Sequence, residues 1–323
     1  MEFGRVPSDE AVGAILAHSV VLPEGRLRKG LVLSESDVAA LKAAGIAQVM
    51  AARPGPEDIG EDEAAQLIAD ALVPDPAAVG LRFGRAATGR VRIFADQIGL
   101  ARLDVDKIHA LNLSSDLVSI ATVPPWHRMA AGGMVATVKV IPYAMARDQA
   151  EAAASAGAGA LALAPITISD AELIVTCCED VKSTEDSGTG HGAIEARLTA
   201  LGMTLTRGRE VDHEIGALAE AIQSASAGMV LVLSASATSD LEDVGPEALR
   251  RAGGTVTRVG MPTDPGNLLF YGKTADGRPQ IGLPGCARSP AMNGVDWVLD
   301  RLAAGLDLPP EEVARMGVGG LLK

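Results

Sequence analysis

The sequence predicts an α/β protein: a sandwich around a largely parallel sheet in the C-terminal half, preceded by a mixed α+β module. Three observations lead there. From about residue 168 onward, short β-rich runs alternate with helical segments, the order that builds parallel sheets. One of those runs, Met229 to Leu233 (MVLVL), is continuously apolar, as strands buried on both faces are. The chain of 323 residues, 48% hydrophobic and 21% charged, is long enough for two cores and too apolar for a disordered polymer. The expected division is residues 1–168 for the first module and 169–323 for the second.

In the first module, Glu57 to Val73 reads as an acidic amphipathic helix. Gly80 to Ile98 carries Arg82, Arg85, Arg90 and Arg92 among alternating apolar residues and reads as strands. In the second, Leu173 to Cys177 is a strand, Ala193 to Leu201 a helix stopped by Gly202, and Met203 to Thr206 a strand. Asp212 is placed to cap a helix from His213 to about Ser224, and Met229 to Leu233 follows as the buried strand. Pro246 to Ala252 gives another helix, stopped by Gly253-Gly254, and Thr255 to Val259 the next strand. Leu268 to Tyr271 and Gln280 to Leu283 flank Asp276-Gly277 as a hairpin. The last long helix is expected to begin at Ser289-Pro290, with Val295, Val298, Leu299 and Leu302 on one face, and to stop at Gly305.

Composition excludes several functions. A formal charge of −13 repels nucleic-acid phosphate and anionic lipid, and 2% aromatic residues leave few rings for base stacking. The three cysteines, Cys177, Cys178 and Cys286, have neither metal-ligand spacing nor the count of a disulfide framework, and a reducing cytoplasm is expected. The N-terminus resembles neither a secretory signal nor a transit peptide, and Ala150 to Ile166 is too short to span about 30 Å of hydrocarbon. Neither a membrane nor a nucleic-acid partner is expected.

Ligands of such a sheet gather in the crevice at the carboxyl ends of its strands, and three unusual loops fall there. The first is Ser234-Ala235-Ser236-Ala237-Thr238-Ser239-Asp240, rich in hydroxyls and N–H groups. The second is Met261-Pro262-Thr263-Asp264-Pro265-Gly266-Asn267, whose prolines and glycine fix a tight path beside two polar side chains. The third, Gly282-Leu283-Pro284-Gly285-Cys286-Ala287-Arg288-Ser289-Pro290, leads into the expected helix, so its N–H groups and the Arg288 fork form a candidate phosphate seat. Each loop alone also reads as an ordinary turn or cap. Glu179 and Asp180 after the first strand offer carboxylates for Mg²⁺, or simply a solvated acidic pair.

Other motifs fail. Gly266 to Thr274 and Gly84 to Val91 imitate a P-loop without its full spacing or its Lys-Ser/Thr. The five histidines, His18, His109, His127, His191 and His213, have no ligand spacing, and no G-x-S-x-G elbow is present. Cys286, near an expected helix N-terminus, is a candidate nucleophile against simple packing. The four arginines of residues 82–92 face either an anion or solvent.

The order and content of the loops resemble the molybdopterin-binding domain shared by molybdopterin adenylyltransferases and molybdopterin molybdotransferases, over roughly residues 173–306. That family's T-G-D-E strand end, G-G-x-S-x-G-x-x-D loop, M-K-P-G-K-P stretch and G-L-P-G-N-P-x-S loop correspond to four segments here. These are Thr176 to Glu179, Ser234 to Asp240, Met261 to Gly266 and Gly282 to Ser289. The departures are Cys178 for the Asp of T-G-D-E, Ser234 and Ala235 for the paired glycines, and the missing lysines of the third stretch. The forms D-P-G-N-L-L, G-L-P-G-C-A-R-S-P, N-G-x-D-W-V-L and M-G-V-G-G-L-L look like a narrower subgroup associated with a molybdenum cofactor cytidylyltransferase. Upstream, Arg28 to Leu33 looks like the molybdotransferase segment K-G-x-x-L.

The resemblance implies a three-layer αβα fold and a protein of molybdenum cofactor biosynthesis. It would either insert molybdate into molybdopterin, or a nucleotide form of it, or present the pterin as a carrier or sensor without that chemistry. Glu179 and Asp240 would hold Mg²⁺ and act in insertion. Ser234, Ala235, Ser236, Ser239, Pro262, Asp264, Gly266, Asn267, Pro284, Gly285, Cys286, Arg288 and Ser289 would bind the pterin. Molybdate, a cytidylyltransferase or a molybdenum hydroxylase are the implied partners, and an assembly of identical subunits is expected.

Overall fold

The computed structural model describes residues 1–178 and 186–322, without the side chains of residues 186–189 and 207. The chain is of mixed α/β type and divides into two compact units: Met1–Gln97 with Ala101–Ala164, and Ile98–Leu100 with Pro165–Lys323.

In the first unit, strands Glu2–Pro7 and Ile15–Leu16 flank strand Gln48–Arg53 in antiparallel register. Helix Glu35–Ala43 closes over them. Ser34 accepts the Asp37 N–H and Asp37 returns to the Ser34 N–H, so both ends of a capping box are made. A second core lies under a four-stranded antiparallel sheet, in the order Val118–Thr122, Met134–Val140, Arg90–Ala95, Leu81–Phe83. Helix Glu61–Leu72 buries Ala65, Ile68, Ala69 and Leu72 there. It is shorter than the segment expected from residue 57, because Asp58–Gly60 pairs as a strand with Ala144–Ala146. Along Arg90–Ala95, Arg90 and Arg92 are exposed while Val91 and Ile93 are fully buried, the alternation expected of a one-sided sheet.

The second unit carries strands β1 (Asp170–Cys177), β2 (Thr204–Asp212), β3 (Met229–Leu233), β4 (Thr255–Val259), β5 (Phe270–Lys273) and β6 (Pro279–Leu283). They form one sheet in the order β2-β1-β3-β6-β5-β4. The pairings β1·β2, β1·β3 and β3·β6 are parallel, whereas β5 is antiparallel to both β4 and β6. Because β4 and β6 both oppose β5, five strands run one way and only the hairpin strand β5 is reversed. The sheet is therefore mixed.

Among the described residues its helices are α1 (Asp186–Ala200), α2 (Ile215–Ser224), α3 (Val244–Arg251), α4 (Gly294–Ala303) and the short α5 (Pro310–Ala314). Both faces of the sheet are buried. Leu173, Leu231 and Ile281 pack with α1 and α4 residues such as Leu198 and Val298. Ile174, Val230 and Val232 pack with Leu218 and Ile222 of α2 and Leu249 of α3. This two-sided burial explains the unbroken apolar run of β3, in which all five residues are buried.

Two helix starts differ from expectation. Strand β2 continues through Asp212, which pairs with Cys177, so Asp212 is unavailable as a cap and α2 begins after Glu214. Helix α4 begins at Gly294 and not at Pro290. The Asn293 side chain accepts the Val295 N–H at 2.9 Å and the Asp296 carboxylate accepts the Asn293 N–H at 2.9 Å, a stronger start signal than proline alone.

Candidate functional site

Strand order locates a crevice. From β1 the chain passes through α1 to β2 on one side, then through α2 to β3 on the other, so the direction of winding reverses between β1 and β3. At such a switch point the loops diverge to opposite faces and leave a gap beyond the strand ends. Since β1, β2, β3, β4 and β6 all run the same way, the loops that follow them emerge at this one edge. Glu179, one of the residues expected there, lies outside the described residues.

The Ser234–Asp240 loop leaves β3 at the switch point and is tied across it. Thr176, buried at the end of β1, accepts the Ala235 N–H on Oγ1 at 2.9 Å. His213 bridges two hydroxyls: its Nδ1 lies 2.9 Å from Thr176 Oγ1 and its Nε2 lies 3.0 Å from Ser236 Oγ. The far end is held by Asp243, which accepts the N–H groups of Ser239 and Val244 at 2.9 and 2.7 Å. Burial, the largest influence on Asp243, raises its carboxyl pKa, but the Ser239 and Val244 N–H bonds and the nearby His213 outweigh it and leave the pKa lowered.

The pair Ser236 and His213 looks like half of a hydrolytic triad, yet the far ring nitrogen faces the Thr176 hydroxyl and not a carboxylate. That arrangement orients a loop. Neither His213 nor Thr176 carried a signal for this role in the sequence, where the histidine stood alone and the threonine read as the end of a strand.

The loop after β6 is built differently. Gly285–Arg288 is a short 3-10 turn, not the first turn of a helix, so the N–H groups expected there as a helix-end phosphate seat are not at a helix end. One buried side chain holds the segment: Arg197 of α1, 6% exposed. Its Nη2 donates to the carbonyls of Ser289 and Ala291, both at 2.8 Å, and its Nη1 to that of Ala287 at 3.0 Å. Its Nε donates to Asp296 at 3.0 Å, the carboxylate that also caps α4. With those carbonyls turned inward, Arg288 stands partly exposed at the strand ends. A Cβ on Gly190 would lie 3.2 Å from Arg288 Nη1 and 3.4 Å from Leu233 Cδ2, so a glycine in α1 leaves room for the guanidinium beside the end of β3.

The Met261–Asn267 loop packs against the start of α4. The Gly294 N–H donates to the Pro265 carbonyl at 2.9 Å. A Cβ on Gly266, at φ +119°, would come 2.5 Å from the Gly294 nitrogen, so only glycine fits. Gly266 is buried, while Pro262, Asp264 and Asn267 are exposed. Asp264 is bound by its backbone to the C-terminal segment, donating to Gly320 and accepting from Leu322.

The expected reactive thiol fares less well, and half of the expected cation site, Glu179, lies outside the described residues. Burial, the largest effect, pushes the thiol pKa of Cys286 up, and burial followed by the Glu210 charge does the same for Cys177. Both thiols are held protonated at neutral pH, which argues against Cys286 as a nucleophile. All three cysteines are free. Asp240 is exposed, with Oδ1 accepting the Glu242 N–H at 2.8 Å. Among the described residues, no three His, Cys, Asp or Glu side chains are grouped to hold a metal ion, and no helix is long and apolar enough to cross a membrane.

A family model described as Domain of unknown function (DUF8806) matches residues 5–53, within the first unit. No curated protein matches the sequence. Among solved structures the chain is similar to a molybdenum cofactor biosynthesis protein from Pyrococcus furiosus, at 12% identity and a TM-score of 0.26. That likeness covers 95% of this chain and 66% of the other, just under two thirds of its length.

Proposed function

We propose that the second unit binds molybdopterin in the crevice between the Ser234–Asp240 and Pro284–Ser289 loops, as part of molybdenum cofactor maturation. The observation that carries this reading is the placement of the motif-bearing loops. The G-L-P-G loop and the serine loop, matched to the molybdopterin-binding family by sequence alone, leave neighbouring parallel strands at the edge where the winding reverses. Their chemistry suits a pterin phosphate: Arg288 supplies a planar donor fork, and Ser234, Ser236 and Ser239 supply hydroxyls. Helices on both faces of the sheet agree with the three-layer αβα arrangement of that family. Asp240, with Glu179 outside the described residues, would hold a Mg²⁺ together with the pterin phosphate.

A second reading, a carrier that presents molybdopterin without inserting molybdate, is favoured by Cys178. It stands where the family's T-G-D-E has its aspartate and cannot replace a hard carboxylate ligand. The recipient would be a cytidylyltransferase or a molybdenum hydroxylase in the cytoplasm, in keeping with three free cysteines. Titration of the purified protein with molybdopterin, followed by addition of molybdate, tests both readings. Binding with molybdate-dependent turnover supports insertion, binding without turnover supports the carrier, and no binding overturns the assignment.

A further inference from the structure

A cleft of about 700 Å³ in the first unit plays no part in that reading, and its charge is out of keeping with the rest of the chain. The molecule carries a formal charge of −13, yet three cations line this cleft, Lys29, Arg90 and Lys139, against one carboxylate, Glu61. Apart from Thr88, the rest of the walls is mainly apolar, with Phe3, Leu117, Ile141, Pro142 and the ring of Tyr143.

Two of the cations are placed at a cost. In the antiparallel ladder between Arg90–Ala95 and Met134–Val140, Arg90 lies directly opposite Lys139. Directly opposed residues project on the same face, and like charges so opposed destabilise a sheet. Lys139 is partly compensated: its Nζ donates to the Thr88 carbonyl at 2.7 Å and lies 3.4 Å from Glu61 Oε2. That carbonyl is presented by a tight turn in which Thr88 and Gly89 adopt φ +53° and +66°. A threonine is rarely found in that region, so the turn holds a strained residue to aim its carbonyl into the cleft. Among the described residues neither Arg90 nor Lys29 has an ion-pair partner. Lys29 Nζ sits 5.8 Å from the centroid of the Tyr143 ring, whose hydroxyl is anchored to the Ala17 carbonyl at 3.1 Å.

We infer that this cleft binds a small organic phosphate monoester. Two cations without carboxylate partners match a dianion, Arg90 offers the planar fork suited to phosphate oxygens, and the apolar walls and volume accommodate an organic body that inorganic phosphate lacks. An anion between Arg90 and Lys139 would also relieve their repulsion.

The test is calorimetric titration of the full chain at low and high salt with adenosine 5′-monophosphate, ribose 5-phosphate and inorganic phosphate. Four proteins are compared: the parent, Arg90→Met, Lys29→Met and Arg288→Ala. The expected result is binding of at least one organic monoester more tightly than inorganic phosphate, weakened by salt and reduced about tenfold in each cleft variant. Arg288→Ala, in the other unit, should leave it in place. Because Arg90 is exposed and faces a like charge, Arg90→Met should fold with a melting temperature equal to or above that of the parent, which separates lost binding from lost structure. Three outcomes would overturn the proposal: no monoester binding at about 10 mM, affinity unchanged in both cleft variants, or affinity lost only in Arg288→Ala.

Discussion

The two loops that face each other across the crevice of the second unit are held by opposite means. The loop after β6 is fixed by one buried guanidinium reaching three of its main-chain carbonyls, together with Asp296, which caps the next helix. The loop after β3 is fixed by three separate side chains, buried Thr176 and half-buried His213 and Asp243, each through single bonds at a different point. A single buried clamp makes the first loop rigid and all-or-none, and it pre-sets the Arg288 fork. Several small tethers let the second loop yield in part. The difference predicts that substitutions on one wall move stability and affinity together, and that those on the other move each a little.

The largest effect should come from Arg197→Met, which removes the guanidinium paired with the buried Asp296 and frees the carbonyls of Ala287, Ser289 and Ala291. Breaking such a buried pair costs about 3–5 kcal/mol, to be read in a denaturant titration, and pterin affinity should fall with it. A loss near the surface value, below about 1 kcal/mol, would remove the rigid-wall account.

Next is Arg288→Ala. The side chain is partly exposed and has no ion pair among the described residues, so the fold should persist while molybdopterin affinity drops ten- to a hundredfold, the equivalent of about 1.5–3 kcal/mol for bonds to a charged group. Affinity within about threefold of the parent, with a lowered melting temperature, would make Arg288 a structural residue.

On the yielding wall, Asp243→Asn keeps a capping side chain but removes its charge, and should cost less than the about 1 kcal/mol of losing an N-cap outright. The sign of its pH dependence follows from the lowered carboxyl pKa. The advantage of the charged form is present above the unfolded-state aspartate pKa and is lost as pH falls through the lower folded-state value. Denaturant titrations of parent and variant should therefore diverge at neutral pH and converge in acid. A gap that widens in acid would contradict the ionised cap.

The smallest effect is expected from His213→Ala, which releases Ser236 but leaves the Ala235 to Thr176 bond in place. Pterin affinity should fall about three- to fivefold, with a stability change of about 1 kcal/mol or less. Complete loss of binding or turnover would instead give His213 a direct part in the chemistry.

How much of this could be read from the chain depends on how local each signal is. Met229–Leu233 forms as expected because burial on both faces demands five apolar residues in a row. The Phe270–Lys273 and Pro279–Leu283 hairpin forms around Gly277, whose φ of +88° only glycine readily takes. Helix α4 starts later than its sequence suggests because Ser289-Pro290 is a local helix signal overruled by a better one four residues on, the Asn293 and Asp296 box. The role of Arg197 is not legible locally for a different reason: it meets the carbonyls of Ser289 and Ala291 more than 90 residues away, and nothing near it in sequence marks it as buried. The Thr176, His213 and Ser236 bridge likewise joins three strand ends that only the sheet order brings together.

The central claim is that the crevice of the second unit holds molybdopterin. Its most direct test is to purify the parent and Arg288→Ala from a host that makes the molybdenum cofactor, oxidise both, and measure pterin fluorescence per mole of protein. The account predicts a pterin signal approaching one per chain in the parent and a several-fold smaller one in the variant at equal folded fraction. A parent protein without pterin, or equal pterin in both proteins, would contradict it.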